Sequence, residues 1–383
     1  MSNNILLIGH SGDMYGASRS LVKLAAILNQ EYNVFILLPE KGEIYSKLAA
    51  FISEEHIFIH EGMYIFTRKS FKLRFILPTG VKFIKTLLAI KKIIRTKNIG
   101  IIHTNSGVAP AGALAAKLRG IKHIWHIREW FGDFRQFWPL YRTYMLNLSD
   151  RIICVSKTIA TQFPAGNKVV PIYNGFEVPA IGPKPDLPAE LIQKLEPADL
   201  VLGCTSRIRL IRKGQEYLIE AIGMLSRKTG KNIQLILIGD YVPGYEWQKE
   251  TLAALIKNYG LEQNVHFLGH LENPLPFYPY FDVFVLPSGE PEPFGGVIME
   301  AMSLALPVIG SNAGGTTEQI DNGVNGYLFE NQNPADLADK IELFLNDKSK
   351  IVEFGQRSKE RIEEHFSLNL HKARILKLYN ELI

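Results

Sequence analysis

The sequence contains no stretch of about eighteen apolar residues without a charge, which is the length that a membrane-spanning helix requires. It has only two cysteines, Cys154 and Cys204, each inside an apolar run, so a disulfide framework is excluded. Both are therefore expected to be reduced core residues of a cytoplasmic protein. A composition of 46% hydrophobic and 21% charged residues excludes a largely disordered chain. The 383 residues exceed what one hydrophobic core ordinarily uses, so two domains are expected.

Acidic residues are absent over a long segment of the first half. Residues 62–128 contain no Asp or Glu but 14 Lys or Arg. The first 178 residues carry 23 basic and 11 acidic side chains, a net charge of +12, against −7 for the rest of the chain. Solvated helix faces and a surface that binds anions explain this excess equally well.

Two parts of this basic segment, residues 68–74 and 81–97, mix Lys and Arg with Phe, Leu and Ile. That mixture suits a peripheral surface that contacts an anionic membrane, which for a cytoplasmic protein is the inner face of the membrane. No nucleic-acid-binding motif accompanies the charge, so no nucleic-acid partner is expected.

Short β-branched runs alternate with helical patterns along almost the whole chain, which is typical of parallel sheets covered by helices. The predicted strands are residues 5–9, 33–38, 56–59, 99–103, 123–127, 151–155, 168–172, 200–205, 233–239, 265–268, 283–287 and 307–310. Five prolines between Tyr173 and Leu200 indicate a linker. The fold class is therefore α/β, with two tandem doubly wound domains and a ligand cleft between them. A final helix, residues 369–382, caps the second domain or returns to brace the first.

The first predicted strand leads into a glycine-rich turn, GHSGDMYG, which ends at Gly16. It does not match G-x-G-x-x-G, so the dinucleotide-binding fingerprint is absent. Its glycines either let a ligand approach the backbone near a helix start or serve only the turn from strand to helix.

A second loop of interest lies between a predicted strand and the helix that follows it, in the segment TSRIRLIRKGQEYL. Four bases, Arg207, Arg209, Arg212 and Lys213, stand there beside the positive end of a helix. Such a loop would neutralise a diphosphate without a metal ion. The alternative is an exposed basic loop with no ligand.

The densest polar region is PSGEPEPFGGVIMEAM, which starts at Pro287. Pro293 is predicted to be the first helical residue, and Gly295 and Gly296 would then offer bare N–H groups to phosphate oxygens. The backbones of Glu292 and Glu300 should lie about 12 Å apart at ~1.5 Å per helical residue. That is wide for the ~5–9.5 Å carboxylate pairs of glycoside hydrolases, so the two side chains suit two ends of one long ligand. A further, weaker anion site is predicted downstream, in NAGGTTEQI.

Glu292 and Glu300 form an E-x7-E pattern within EPFGGVIMEAMSLALPVIGSNAGGTTEQI, which resembles the signature of the retaining glycosyltransferases of family 4. Further segments fit that family in order over nearly the whole chain: YGASRSL, IIHTNS, DRIICVSK, YNGFE, SRIRLIRKG, LIGD and VHFLGHL. The resemblance implies the GT-B fold of two Rossmann-like domains. It places an acceptor-side domain at residues 1–175, a nucleotide-sugar-binding domain at 176–365 and a C-terminal helix at 366–383.

The resemblance also implies a function. The chain would move a sugar, with retention at the anomeric carbon, from a nucleotide-diphosphate donor to a glycan or lipid-linked acceptor in surface polysaccharide or glycolipid biosynthesis. The implied donor-site residues are Arg207 and Lys213 on the pyrophosphate, the N–H groups of Gly295, Gly296 and Val297 beside it, Glu300 on the ribose, Gly16 in a closing loop, and the catalytic pair His126 and Glu292 on the donor sugar.

Neither a metal nor a cofactor is expected, because the family commonly works with fixed cations and a helix dipole around the leaving diphosphate. The mechanism usually proposed lets the departing phosphate take the acceptor's proton, so no enzymatic nucleophile is named. Two departures from the family pattern are visible. Ser18 replaces a glutamate of the amino-terminal loop. The family often has Asp or Gly directly after the histidine, whereas Ile127, Arg128 and Glu129 follow His126 here. Arg128 and Glu129 are assigned to acceptor recognition.

Three other functions fit the same fold. A nucleotide-sugar epimerase and a phosphorylase would share it, since fold alone does not determine activity. A non-catalytic relative that binds nucleotide sugar is the third. The combination of Arg207 and Lys213 with E-x7-E argues against all of them, and no lysine motif for a pyridoxal cofactor is evident.

Overall fold

The computed structural model describes residues 3–67, 76–134, 136–178 and 182–382. The chain divides into two compact units: Met1–Asn174 with Asn369–Ile383 form the first unit, and Gly175–Leu368 form the second. The chain thus passes between units after residues 174 and 368, next to the boundaries at 175 and 365 that the sequence suggests.

The first unit is built on a seven-stranded parallel sheet in the order β3-β2-β1-β4-β5-β6-β7. Its strands are β1 (Asn4–Ile8), β2 (Asn33–Leu38), β3 (Ile57–Ile59), β4 (Ile101–Thr104), β5 (Lys122–Ile127), β6 (Arg151–Cys154) and β7 (Val169–Pro171). The helices are α1 (Gly16–Leu28), α2 (Glu43–Ala49), α3 (Ile76–Thr96), α4 (Ala111–Arg119), α5 (Trp138–Leu148) and α6 (Lys157–Ala160). Helices cover both faces, which is why strands such as NVFILL are apolar almost throughout rather than alternating.

The second unit carries a six-stranded parallel sheet in the order β10-β9-β8-β11-β12-β13. Its strands are β8 (Leu200–Thr205), β9 (Ile233–Ile238), β10 (Val265–Phe267), β11 (Val283–Leu286), β12 (Val308–Ser311) and β13 (Gly326–Phe329). The helices are α7 (Ala189–Leu195), α8 (Gln215–Thr229), α9 (Gln248–Tyr259), α10 (Gly296–Ser303), α11 (Thr316–Gln319), α12 (Pro334–Asn346) and α13 (Ser349–Arg361).

The last helix, α14 (Leu368–Asn380), follows a π-helical turn at Ile362–Phe366 and packs on the first unit. It buries His371, Ile375, Leu378 and Tyr379. At its surface, Tyr32 lies 3.0 Å from the side chain of Asn380. The chain therefore ends as part of the unit in which it began.

In each sheet the order of the strands reverses once, and this point determines where a ligand is expected to bind. In the first unit the order reverses between β1 and β4, and in the second between β8 and β11. In open α/β sheets the ligand crevice lies beyond the carboxyl ends of the strands at such a switch point. The loops after β1, β4, β8 and β11 are therefore the ones to inspect.

Several elements differ from the sequence-based expectations. Strand β13 and helices α12 and α13 were not predicted, and the proline-rich linker contains helix α7. Helix α10 begins at Gly296, three residues after the predicted start at Pro293. Over the described ranges, no helix is long and apolar enough to cross a membrane.

Candidate active site

The loop after β8 is held rigidly by two buried glutamines. The side-chain amide of Gln215 donates to Ser206 Oγ at 2.8 Å and to the Arg207 carbonyl at 3.1 Å, and its oxygen accepts from the Arg209 amide at 3.3 Å. Gln248 accepts from the next amide, that of Leu210, at 3.0 Å. This loop therefore presents its basic side chains from a fixed backbone.

The four basic side chains of that loop have different neighbours. Lys213 forms an ion pair with Glu292. Arg212 lies 3.5 Å from Glu290 at the surface, and the guanidinium of Arg209 stands 5.0 Å from the ring centre of Tyr245. Arg207 is exposed at the end of β8. Arg207 and Lys213 thus flank the switch point, while Arg209 and Arg212 contact other partners.

Two side chains of the second unit hold the carboxylate of Glu292. It accepts hydrogen bonds from Lys213 Nζ and, at 2.9 Å, from Ser288 Oγ, and only 17% of its side chain is exposed. Burial by itself raises the pKa of Glu292, but the Lys213 cation and these hydrogen bonds outweigh it and lower that pKa below its ordinary value. Glu292 is therefore an ionised carboxylate held against an ammonium group.

Two glycines hold the backbone of Glu292 in place. The Gly315 amide donates to the Glu292 carbonyl at 2.6 Å, and Gly314 forms a parallel bridge with Glu292. Gly314 has φ of +65°, and a Cβ there would lie 2.4 Å from the Glu292 carbonyl oxygen. This loop supports Glu292, and the weaker anion site that the sequence suggests for it stays a prediction.

The start of α10 offers fewer free amides than the sequence implied. The Gly295 amide is occupied, because it donates to the buried Gln319 Oε1 at 3.0 Å, and Gln319 Nε2 donates back to the Gly295 carbonyl at 2.9 Å. In this structure the Gly295 N–H is thus occupied within the chain, and its assignment to phosphate stays a prediction. Gly296 and Val297 remain in the first turn, where no intrahelical acceptor exists, and a Cβ at Gly296 would meet nothing within 4 Å.

Glu300 lies one helical turn further along α10, and the hydroxyl of Tyr278 donates to its Oε2 at 3.1 Å. Tyr278 is completely buried, and that burial, with the nearby Glu300 charge, raises its pKa well above the ordinary value. The tyrosine therefore stays protonated and fixes one carboxylate oxygen.

In the first unit, the loop after β1 carries Gly16 as the first residue of α1. A Cβ at Gly16 would meet nothing within 4 Å, so the chain itself does not require a glycine here. Ser18 is buried and lies 3.1 Å from Asp13 Oδ1, which also accepts from the Tyr15 amide at 3.0 Å. The space beside Gly16 is thus open, and the turn before it is tied down.

His126 is the second-last residue of β5 and is fully buried. Its Nδ1 lies 3.3 Å from Arg128 Nη2 and 3.3 Å from His103 Nε2. Burial, then the Arg128 cation, lowers the pKa of His126 well below its ordinary value, so the ring is neutral. Its Nε2 is buried without a hydrogen-bond partner among the residues that the structure describes.

Arg128 and Glu129 directly follow β5, and both are held by hydrogen bonds within the chain. Arg128 donates to Asn105 Oδ1 at 3.1 Å and to Asn174 Oδ1 at 2.6 Å. Glu129 accepts from the Gly107 amide at 2.9 Å, from its neighbour's amide at 3.0 Å and from Ser106 Oγ. These contacts order the loops after β4 and β5, and the acceptor-recognition role of Arg128 and Glu129 stays a prediction.

Sequence reasoning missed Tyr278, Gln319 and Tyr379, whose polar atoms position the site residues. Tyr278 and Tyr379 carry no motif, and Gln319 lies within NAGGTTEQI but gave no signal of its own, because the partner of each lies at least 22 positions away in the chain. Within the described ranges, no three His, Cys, Asp or Glu side chains come together as metal ligands.

Two family models match the chain, one for each unit. The model described as Glycosyltransferase Family 4 matches residues 14–178, and the model described as Glycosyl transferases group 1 matches residues 193–361. This chain belongs to the family of glycosyl transferases group 1. The family that its motifs resemble is thereby confirmed.

Similar proteins agree with this assignment. The capsular polysaccharide biosynthesis glycosyltransferase CapM of Staphylococcus aureus is 31% identical over 191 residues, which is 50% of this chain and 48% of CapM. The chain thus aligns with about half the length of that relative. An uncharacterized glycosyltransferase of Methanocaldococcus jannaschii is 28% identical over 76% of this chain and 78% of its own.

Among solved structures, HepE of Anabaena in complex with UDP superposes with a TM-score of 0.79 at 24% identity, covering 100% of both chains. At this identity the likeness concerns the fold. It confirms the predicted GT-B architecture of this group 1 glycosyltransferase, with two Rossmann-like parallel-sheet domains. Retention, the donor and the roles of single residues stay predictions.

Proposed function

We propose that the chain transfers a sugar from a nucleotide-diphosphate donor to a glycan or lipid-linked acceptor. The observation that carries this proposal is the Lys213–Glu292 pair beside the open first turn of α10, at the switch point of the second unit. HepE was crystallised with UDP and with UDP-glucose, and CapM is named for capsular polysaccharide biosynthesis. Both names support a nucleotide-sugar donor and a surface-polysaccharide product here.

The donor diphosphate would lie between Arg207, Lys213 and the amides of Gly296 and Val297. These groups place positive charge where the leaving diphosphate gains negative charge, which is the largest stabilisation available in such a transfer. Neither a metal nor a cofactor is part of the proposal, since these fixed groups supply the countercharge.

Glu292 and Glu300 would act at opposite ends of the donor. Because its pKa is lowered, Glu292 is ionised and can stabilise the positive charge that develops on the donor sugar. Glu300, with one oxygen held by Tyr278, would accept hydrogen bonds from the ribose hydroxyls. Retention follows if the departing phosphate takes the acceptor's proton on the face that it leaves.

The ribose role is tested by Glu300→Gln, which keeps the shape and removes the charge. Loss of one charge-assisted hydrogen bond should weaken donor affinity by roughly 1.5–3 kcal/mol. Glu290→Gln, at an exposed ion pair of the same unit, is the matched control. Unchanged donor binding in Glu300→Gln would remove the ribose role.

A thermal-shift screen against UDP-, GDP-, ADP- and TDP-linked sugars, with and without EDTA, tests the function as a whole. We expect stabilisation by one nucleotide class, equal in EDTA, followed by a transfer product whose anomeric configuration by NMR matches the donor. Stabilisation without any product would favour the non-catalytic relative, and inversion would contradict retention. A shift that disappears in EDTA would contradict metal-independent binding.

Helix α3 supports the proposal that the protein binds an anionic membrane. With it goes the proposal of a cytoplasmic location at the inner face of that membrane. Leu77, Val81, Ile84 and Leu88 recur at helical spacing along it and are 78%, 46%, 56% and 58% exposed. Lys82, Lys85, Lys92 and Arg95 stand on the same helix. Exposed aliphatic side chains with Lys and Arg around them favour anionic headgroups. The other basic segment, residues 68–74, lies outside the described residues.

Sedimentation with phosphatidylglycerol vesicles tests this partner. Ile84→Ser with Leu88→Ser should reduce binding, and rising salt should reduce it further, because exposed charges are screened within about 10 Å at 0.1 M. Val352→Ser, at a 77% exposed valine of the second unit, is the control. Absence of binding at low salt would remove the membrane partner.

A further inference from the structure

The loop after β5 carries an exposed tryptophan, Trp130, at the start of the aromatic-rich segment WFGDFRQFWPLYRTY. The other six aromatic rings of this segment each lie against a neighbouring ring: Phe131, Phe134, Phe137, Trp138, Tyr141 and Tyr144. Trp130 has no such ring neighbour among the residues that the structure describes, and 39% of its side chain is exposed. The aromatic cluster of the first unit is therefore complete without the Trp130 ring.

The backbone on both sides of Trp130 is fixed by side chains. The Phe131 amide donates to Gln162 Oε1 at 2.6 Å, and Gln162 Nε2 donates to the Glu129 carbonyl at 3.1 Å. The Phe131 ring also stacks on Trp138, with ring centres 4.8 Å apart and planes 3° from parallel. A ring on so ordered a loop loses little conformational freedom when it binds a ligand.

The indole of Trp130 is itself held against the chain at Gly132. A Cβ at Gly132 would lie 2.2 Å from Trp130 Nε1, so a larger residue there would displace the indole. The ring is thus kept in one place although much of it faces solvent.

Trp130 stands at the edge of the sheet where ligands are expected to bind. Asn105, in the loop after β4, donates from Nδ2 to the Ala17 carbonyl at 2.9 Å and accepts from Arg128 Nε at 3.1 Å. One asparagine therefore ties together the segments that follow β1, β4 and β5. The carboxyl ends of parallel strands share this edge.

Exposed aromatic side chains are concentrated at this edge. In the described part of the first unit three are exposed: Tyr15, Phe51 and Trp130. Tyr15 and Trp130 follow β1 and β5, which lie on either side of β4 and so about 10 Å apart. Phe51 lies in the segment that leads from α2 into β3, at the other edge of the sheet.

We propose that Trp130 is a stacking surface for a pyranose ring of the acceptor. A pyranose has a face of C–H groups, which an indole contacts by dispersion and through its electron-rich face. The neighbouring side chains of Arg128 and Glu129 are already bonded within the chain, so the indole is the large contact area that this loop offers. The acceptor is then a glycan, or a lipid-linked one with a sugar beside the reacting hydroxyl, and not a bare lipid alcohol.

This inference rests on the proposed function, which assigns the donor diphosphate to the second unit and leaves the acceptor to the first. Fluorine NMR of protein labelled with 5-fluorotryptophan tests the contact, because the chain has only four tryptophans. The Trp130 signal is assigned by its absence in Trp130→Phe. The probes are methyl glycosides and trisaccharides of glucose, galactose, mannose and N-acetylglucosamine, at millimolar concentrations, with and without UDP.

We expect at least one saccharide to shift the Trp130 signal and to leave that of Trp247, an exposed tryptophan of the second unit, in place. Absence of a shift with every probe, or an equal shift of both signals, would overturn the inference.

Variants then test what the ring contributes to binding. Trp130→Ala should weaken the affinity for the shifting saccharide about threefold to tenfold, the range of one aromatic stack, and Trp130→Phe should weaken it less. Phe51→Ala, at the exposed ring of the other edge, is the matched control and should change nothing. The affinity for UDP-glucose should be equal in all these proteins.

Two outcomes for Trp130→Ala would contradict an acceptor contact. Weaker binding of UDP-glucose with unchanged binding of the saccharide would place the ring on the donor sugar. Weaker sedimentation with phosphatidylglycerol vesicles, again with unchanged saccharide binding, would make Trp130 a membrane contact.

Titration of UDP separates this inference from the proposed function. Binding of UDP without any saccharide shift at Trp130 would leave the donor site supported and the stacking surface wrong. A saccharide shift at Trp130 in a chain that does not bind UDP would contradict the proposed donor site and support the stacking surface.

Discussion

The two units are built on similar parallel sheets, but they differ in the charge of the polar side chains that they bury. The first unit buries four histidines, His103, His123, His126 and His371, and keeps them neutral. The second unit buries an ionised carboxylate, Glu292, and pairs it with Lys213. A neutral set of side chains suits uncharged hydroxyl groups, whereas a charged set suits a diphosphate.

The largest difference in stability between the two units is expected at acidic pH. Burial lowers the pKa of His123 to about 3 and of His371 to about 4, and it also lowers the pKa of His103 and of His126 well below the ordinary value. The unfolded chain therefore binds more protons than the folded one below pH ~6.5, and stability falls as the pH falls through that window. At pH ~5 the His123 and His371 rings should each cost about 2 kcal/mol.

The second unit should lose stability only at a lower pH than the first. The lowered pKa of Glu292 contributes stability above the ordinary glutamate value of about 4.3, and that contribution is lost only as the pH falls below it. Hydrogen exchange followed by mass spectrometry at pH 7, 6 and 5 should show β4 and β5 losing protection before β8 and β11. Simultaneous loss, or earlier loss in the second unit, would contradict the comparison.

A smaller effect concerns the glycines of the two sites. Gly314→Ala places a side chain at φ +65° against the backbone of Glu292. The left-handed conformation alone costs about 1–3 kcal/mol, and the contact should add to it. Urea denaturation should show the loss in the second unit, and activity should fall with it because Glu292 moves.

The smallest effect is expected at Gly16. Its Cβ position is open, and replacing a helical glycine by alanine stabilises a compatible site by about 0.4–1 kcal/mol. Gly16→Ala should thus leave stability equal or slightly higher while donor affinity falls, if the open space belongs to the ligand. A stable variant with unchanged donor affinity would remove Gly16 from the site.

Local patterns were sufficient to predict much of this fold. Parallel strands that are buried on both faces are continuous apolar runs, and the strands of the first sheet and five of the second were located within two residues of their ends. Strand β13 was missed because GYLF is short and begins with a glycine. The E-x7-E pair and the basic loop were visible because their residues stand close together in the sequence.

Contacts between distant residues explain what the sequence could not supply. Helix α10 starts late because Gly295 is held by Gln319, 24 residues away, and because Gly315 occupies the Glu292 carbonyl. Likewise, His103 lies 276 residues before Tyr379 in the chain. Neither local propensity nor spacing encodes such a partner, so the supporting residues of both sites became evident only in the folded chain.

The central claim is that fixed charge in the second unit binds the diphosphate. Isothermal titration of UDP into the full chain in EDTA tests it most directly, with Lys213→Met as the variant and Lys231→Met, from an exposed pair with Asp199, as the control. The account predicts binding to the wild type and the control, and affinity lower by about 1.5–3 kcal/mol in Lys213→Met. Equal affinity in all three proteins would contradict it.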